Sequence, residues 1–263
     1  MNEREASARL IRILVAEMPQ YENLQMPSGR RERRRLLRGL MNVRPPMPAD
    51  EAFLREQDAF LRDVTREKGV TDAASLPPCG ADPRLRLWQG DITTLACDAI
   101  VNAANSALLG CFTPCHGCID NMIHTMAGVQ LRLACQELME AQGHEEPTGR
   151  AKITPAFNLP CRYVLHTVGP IVDGPLTEAH ERLLASCYTS CLNLARENGV
   201  TSIAFCCIST GVFMFPNRRA AEIAVGTVRA WLEETGSGMT VIFNVFKDED
   251  RAIYERLLNP EGL

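Results

Sequence analysis

Apolar positions in the first third of the chain recur at helical spacing. Leu10, Ile11, Ile13, Leu14, Val15 and Met18 make one short apolar face, which Pro19 stops. Phe53, Gln57, Phe60, Leu61 and Val64 make a second, with Asp50 placed to cap its start and Gly69 its end. Between them, Arg30-Arg31-Glu32-Arg33-Arg34-Arg35 reads as a solvated helix face leading into Leu36, Leu37, Leu40 and Met41. The stretch Pro45-Pro46-Met47-Pro48 breaks that helix and is expected to extend across a neighbouring surface.

The pattern changes after segment 70–83, where Pro77, Pro78 and Gly80 mark a boundary. Apolar runs at 85–88, 99–102, 163–168, 203–208 and 241–246 read as strands, and 121–142, 176–197, 218–234 and 249–258 as helices. This alternation predicts an α/β layered domain with a mostly parallel central sheet. In such sheets ligands bind at loops beyond the carboxyl ends of strands. The chain thus divides into a helical extension, 1–75, and an α/β domain, 76–263. The apolar faces of the extension are too small for an independent core, so it is expected to brace the domain.

A composition of 46% hydrophobic and 23% charged residues is that of an ordinary soluble protein. A net charge of -4 attracts neither nucleic acid nor an anionic membrane, so neither is expected as a partner. Any anionic ligand must then be held by local geometry. The amino terminus lacks a basic stretch followed by an apolar core, and no apolar run is long enough to span a bilayer. Eleven cysteines without an export signal suit a reducing compartment, so a cytoplasmic monomer is expected.

The densest chemistry lies in Leu109-Gly110-Cys111-Phe112-Thr113-Pro114-Cys115-His116-Gly117-Cys118-Ile119-Asp120. Thiolate sulfur with neutral imidazole suits zinc, and two cysteines plus a histidine with one open position is a catalytic ligand set. The alternative is buried apolar cysteines. Spacing this tight, on a loop marked by Gly110, Pro114 and Gly117, argues against that. No later run supplies the second ligand pair of a closed structural site.

From Leu85 onward, five runs in order resemble a macrodomain, the ADP-ribose-binding α/β/α module. They are Gln89-Gly90-Asp91-Ile92-Thr93, Val101-Asn102-Ala103-Ala104-Asn105, Thr148-Gly149-Arg150-Ala151-Lys152-Ile153-Thr154, Tyr163-Val164-Leu165-His166-Thr167-Val168-Gly169-Pro170 and Ile208-Ser209-Thr210-Gly211-Val212. Cys111, His116 and Cys118, with the helical extension, further resemble the zinc-dependent macrodomain hydrolases. That resemblance implies a three-layer α/β/α fold with a mixed, mostly parallel sheet. It also implies removal of mono-ADP-ribose from a modified protein, with ADP-ribose as product and one zinc per chain. Cys111, His116 and Cys118 would be the ligands and Cys115 a bystander. ADP-ribose would be held by Asp91, Ile92, Asn102, Asn105, Cys118, Ile119, Asp120, Ser209, Thr210, Gly211, Val212, Phe213 and Phe246. Asp120 and Asn105 would act in catalysis.

Each residue also has a reading of its own. Asp91 can accept from an exocyclic amine of adenine, or it can cap a turn. Asn102 and Asn105 suit ribose hydroxyls, or serve as buried structural amides. Small residues in Ser209-Thr210-Gly211-Val212 let backbone N–H groups cradle a diphosphate, or form a plain strand-to-helix turn. Phe246 can stack on adenine, and Phe213 or Phe215 can pack near the distal ribose; core packing is the alternative for each. The rival functions are a reader of ADP-ribose, a hydrolase of a free metabolite such as O-acetyl-ADP-ribose, and a thiol redox sensor.

Overall fold

Three helices open the chain in the computed structural model, which describes residues 3–259: α1 (Glu3–Glu17), α2 (Arg30–Val43) and α3 (Glu51–Lys68). Residues 1–2 and 260–263, which fall in the expected segments 1–75 and 76–263, lie outside the described residues. Asp50 caps α3 as its position suggests, its carboxylate accepting from the N–H of Ala52 at 2.7 Å. Leu10, Ile11, Leu14, Leu37, Leu40, Met41, Phe53, Phe60 and Leu61 close on one another, and Val129 of the following domain completes their cluster.

The arginine run is in part the solvated face expected, since Arg30, Arg31 and Arg35 are exposed, and in part an ion-paired seam. Arg30 and Arg34 both pair with Glu3 and Glu67, tying α2 to α1 and α3. Arg33 is buried and donates to the carbonyls of Pro27 and Ser28. Polar contacts then fasten the extension to the domain. The Gln57 side-chain oxygen accepts from the N–H of Val129 at 2.9 Å, and Arg132 donates to the carbonyls of Met41 and Arg44.

Residues 45–48 leave the helix as expected, and Arg44 holds them. Its guanidinium grips Glu17 at 2.6 and 3.0 Å and the carbonyls of Met47 and Pro48 at 2.8 and 3.0 Å. The arginine side chain is only 1% exposed. Arg44→Met leaves these acceptors without a donor and is expected to lower the unfolding free energy by about 3 kcal/mol in urea denaturation. A loss under about 1 kcal/mol would show that the buried grip contributes little.

The domain follows: β1 (Thr71–Asp72), β2 (Pro78–Cys79), β3 (Asp82–Gln89), β4 (Leu95–Ala96), β5 (Ala99–Ala104), α4 (Ile119–Ala127), α5 (Val129–Gln142), β6 (Ala151–Pro155), β7 (Tyr163–Val168), α6 (Glu178–Glu197), β8 (Ser202–Phe205), α7 (Asn217–Thr235), β9 (Thr240–Val245) and α8 (Asp248–Leu258). Seven strands form one sheet in the order β2-β3-β9-β8-β5-β7-β6. The inner five are parallel, and β2 and β6 add antiparallel edges. Central strands are buried almost throughout, as helices on both faces require. The expected mixed, mostly parallel α/β/α architecture is the one observed.

Two expectations shift. The helix read as 121–142 starts earlier, at Ile119, and breaks at Gly128, whose φ of +99° no ordinary residue holds easily. A Cβ there would also meet the Gln57, Gln130 and Asn158 side chains at 2.5–3.1 Å. The strand read as 203–208 ends at Phe205, which frees Cys206–Ile208 to begin a loop. Segment 70–83, read as a boundary, carries β1, which pairs in parallel with β4.

Candidate active site

All the parallel strands end on one side, and the residues singled out from the sequence gather there. β3 leads to Gly90 and Asp91, β5 carries Asn102 and leads to Asn105, β8 leads to the loop 206–216, and β9 leads to Phe246. Gly90 N–H donates to the Val245 carbonyl at 3.0 Å, which keeps Asp91 and Phe246 on neighbouring strand ends. Phe246 is 76% exposed, so nothing in the core explains it. Phe215, in contrast, is 1% exposed and belongs to the core, which removes it from the ribose candidates. Ile92 is likewise buried, leaving its backbone as its means of contact.

The loop after β8 turns tightly at the strand ends. Ser209 takes a positive φ of 65° and its buried hydroxyl has no partner, while Thr210, Gly211, Val212 and Phe213 follow it round the turn. Phe215 N–H donates to the Ser209 carbonyl at 3.0 Å, and Val172 N–H to the Phe213 carbonyl at 2.9 Å. Pro216 and Asn217 start α7 as expected.

Asp91 does two things at once. One oxygen caps the following turn, accepting from Thr93 N–H at 3.0 Å and Thr93 Oγ1 at 2.6 Å. The other receives Lys68 Nζ from the extension at 2.8 Å. Burial pushes the carboxyl up, but Lys68 and Thr93 outweigh it and hold it below the ordinary aspartate range. The capping alternative is therefore observed, and an adenine amine would have to share this carboxylate with Lys68. Nothing in the sequence pairs position 68 with 91; only the packing of α3 does.

At the heart of the site lies Asp120, in the first turn of α4 beside Ile119 and 5% exposed. Asn102 Nδ2 donates to its Oδ1 at 2.8 Å, and Asn105 Nδ2 reaches its Oδ2 at 3.3 Å. Burial raises the carboxyl to about 6, so it is charged at neutral pH and more basic than an ordinary aspartate. The Asn102 nitrogen also lies 3.2 Å from His166 Nδ1, its partner in β7. Burial lowers His166 to about 4, so this imidazole is neutral. Its Nδ1 accepts from Asn102, and Nε2–H faces Thr154 Oγ1 at 2.9 Å. This leaves Asn102 Oδ1 buried without a partner. The structure brings the sequence candidates Asn102, Asn105 and Asp120 together, and it adds His166, to which the sequence gives no part in positioning them.

Cys111 Sγ, Cys118 Sγ and a ring nitrogen of His116 lie within 4.8 Å of one another. His116 Nδ1 is buried and has no hydrogen-bond partner. Burial pushes the Cys118 thiol up to about 11, and Cys111 and Asp120 push the same way. Two thiolates can share this loop only with a cation between them, so the donor set fits zinc. Cys118 is also the cap of α4, where the helix dipole favours negative charge. Cys115 points elsewhere: its thiol donates to the Arg35 carbonyl on α2 at 3.2 Å. Gly110 carries the loop over His124, where any Cβ would meet the ring at 2.8 Å.

His124, Cys135 and His166 also cluster within 4.8 Å, all buried. Both His166 nitrogens are committed to Asn102 and Thr154, and burial holds the Cys135 thiol at about 12. His166 is thus hydrogen-bonded beneath Asp120, whereas both ring nitrogens of His124 are buried without a hydrogen-bond partner. His124 Nε2 comes within 3.5 Å of Asp120 Oδ1.

Comparison with known proteins agrees with this geometry. The family model described as "Macro domain" matches residues 101–224. A protein of Treponema medium named protein-ADP-ribose hydrolase is 57% identical over 261 residues, 98% of this chain and 100% of that protein. One of the same name from Staphylococcus aureus strain MSSA476 is 50% identical over 254 residues, 96% of this chain and 95% of its own. The crystal structure of the Trypanosoma brucei macrodomain in complex with ADP-ribose superposes with a TM-score of 0.64 at 33% identity. It covers 84% of this chain and 95% of that one. With two such relatives spanning the extension as well as the sheet, the chain belongs to the macrodomain family, beside the protein-ADP-ribose hydrolases.

Proposed function

We infer that this protein is a hydrolase that releases mono-ADP-ribose from modified proteins, and that zinc held by Cys111, His116 and Cys118 takes part. One observation carries the reading. A buried carboxylate, Asp120, is clamped by Asn102 and Asn105 within two residues of the metal-ligand loop, at the carboxyl ends of the strands.

The chain's residues divide the work. Phe246 stacks on adenine while Asp91 and the Ile92 backbone face its edge. The backbone from Ser209 to Phe213 receives the diphosphate, which explains how a chain with net charge -4 holds an anion. Asn105 and the free Oδ1 of Asn102 hold ribose hydroxyls, fixing the distal sugar for attack. Water then adds to the anomeric carbon as the bond to the protein side chain breaks. Asp120 takes the proton from the water, and the leaving atom is protonated in turn. Bound zinc supplies Lewis-acid stabilisation of the charge that develops at the sugar or leaving group.

Phe246→Ala is expected to weaken ADP-ribose binding by about 1–3 kcal/mol, the usual worth of a base–aromatic stack. Because the ring is exposed, thermal stability should not change. Unchanged affinity in calorimetry would take Phe246 out of the site. The hydrolase reading itself is tested with a mono-ADP-ribosylated protein and chromatographic detection of free ADP-ribose. Tight binding without release would make the protein a reader. The metal loop favours hydrolysis over reading, because holding a nucleotide needs no such ligands.

A further inference from the structure

We propose that Arg38 of the helical extension and Asn121 of α4 are positioning residues that set the zinc affinity of the Cys111–His116–Cys118 loop. The proposal rests on zinc being held there. Its basis is a hydrogen-bond frame that reaches all three ligands.

Asn121 is fully buried, and all three of its N–H hydrogens are directed at this loop. Its two amide hydrogens go to the carbonyls of Cys111 at 3.2 Å and Thr113 at 3.0 Å. Its backbone N–H points at Cys118 Sγ at 3.4 Å. Its Oδ1 receives Arg38 Nε at 3.2 Å and Nη2 at 2.7 Å. Arg38 Nη2 also donates to the carbonyl of His116 at 2.7 Å. One asparagine thus touches two ligand residues, and one arginine touches the third while orienting the asparagine.

The loop needs such a frame, because it has no regular structure between β5 and α4 and contains positive φ angles at Gly110 and Cys115. Asn42 on α2 adds a further tie, its Oδ1 accepting from Cys115 N–H at 2.9 Å. The planar, two-sided guanidinium suits this place, since one ammonium cannot keep the same fork of bonds. Partners behind the ligands hold their orientation, and losing such a partner typically costs a metal site about 10–100-fold in affinity. The extension therefore acts on the chemistry of the site as well as on the stability of the fold.

The test is zinc affinity by competition with a chromophoric chelator on the full chain. Arg38→Met is expected to weaken zinc binding about tenfold or more. Arg38→Lys should fall between it and the wild type. Arg30→Ala, on the same helix but paired only with Glu3 and Glu67, should bind zinc as the wild type does. The zinc-free Arg38 variants should melt lower, since Asn121 loses a partner. The readout that separates positioning from stability is therefore the zinc affinity of the folded protein, measured well below its melting temperature. Should Arg38→Met fail to fold, Arg38→Lys decides. Wild-type affinity in the Arg38 variants, or an equal loss in Arg30→Ala, overturns the proposal. A wild-type chain that takes up no zinc overturns the metal reading beneath it.

Discussion

Asp120→Asn should lower turnover at saturating substrate by about 100-fold or more while ADP-ribose affinity moves within about threefold. The substitution keeps the shape of the side chain, and its carbonyl can still accept from Asn102. It cannot take a proton. Asn105 Nδ2, now facing an amide nitrogen or a weaker acceptor, loses part of its anchor at 3.3 Å. The split between rate and affinity is the signature of a group that acts in the transition state rather than on the bound nucleotide. Single-turnover release and calorimetry on the same preparation read both quantities. Equal loss in affinity, with the chemical step unaltered, would make Asp120 a binding residue only.

Cys118→Ser should purify without stoichiometric zinc and lose about 100-fold or more in turnover, because several kcal/mol of charge stabilisation leaves with the metal. Cys115→Ser should retain both. The contrast is geometric, since Cys118 Sγ faces Cys111 and His116 whereas Cys115 Sγ is spent on the Arg35 carbonyl. ADP-ribose itself should still bind the Cys118 variant, because the loop at Ser209–Phe213 and the Phe246 face belong to other strand ends. Full zinc in Cys118→Ser would contradict the ligand set, and zinc loss in Cys115→Ser would enlarge it.

Much of this arrangement could be read in the chain before its fold. Strand ends and motifs coincide in a parallel α/β sheet, so pattern puts Asn102, Asn105 and the loop after β8 at strand ends, while their roles and that of Asp120 rest on the family resemblance. Antiparallel β6 was not legible, because Lys152 and Thr154 interrupt its apolar run and it lies at a sheet edge. The break at Gly128 was hidden because one glycine inside a helical pattern is tolerated. Its φ of +99°, with the Gln57, Gln130 and Asn158 side chains close by, is what disfavours another residue there, and neither is legible in the sequence. The ties across the extension, Lys68 to Asp91 and Arg38 to Asn121, join residues 23 and 83 positions apart. No local spacing encodes such pairs; they follow from how three helices dock. The pairing of Arg30 and Arg34 was hidden for the same reason, their partners Glu3 and Glu67 lying on other helices.

The central claim is that one cleft binds ADP-ribose and cleaves it from protein with help from a zinc loop. Its most direct test follows free ADP-ribose released from a mono-ADP-ribosylated protein by the full chain, before chelation, after it, and after zinc is restored. The account predicts release by the loaded protein, a strong slowing on chelation, and recovery with zinc while ADP-ribose binding persists throughout. Release at an undiminished rate from the stripped protein, or none from a loaded protein that binds ADP-ribose, would contradict it.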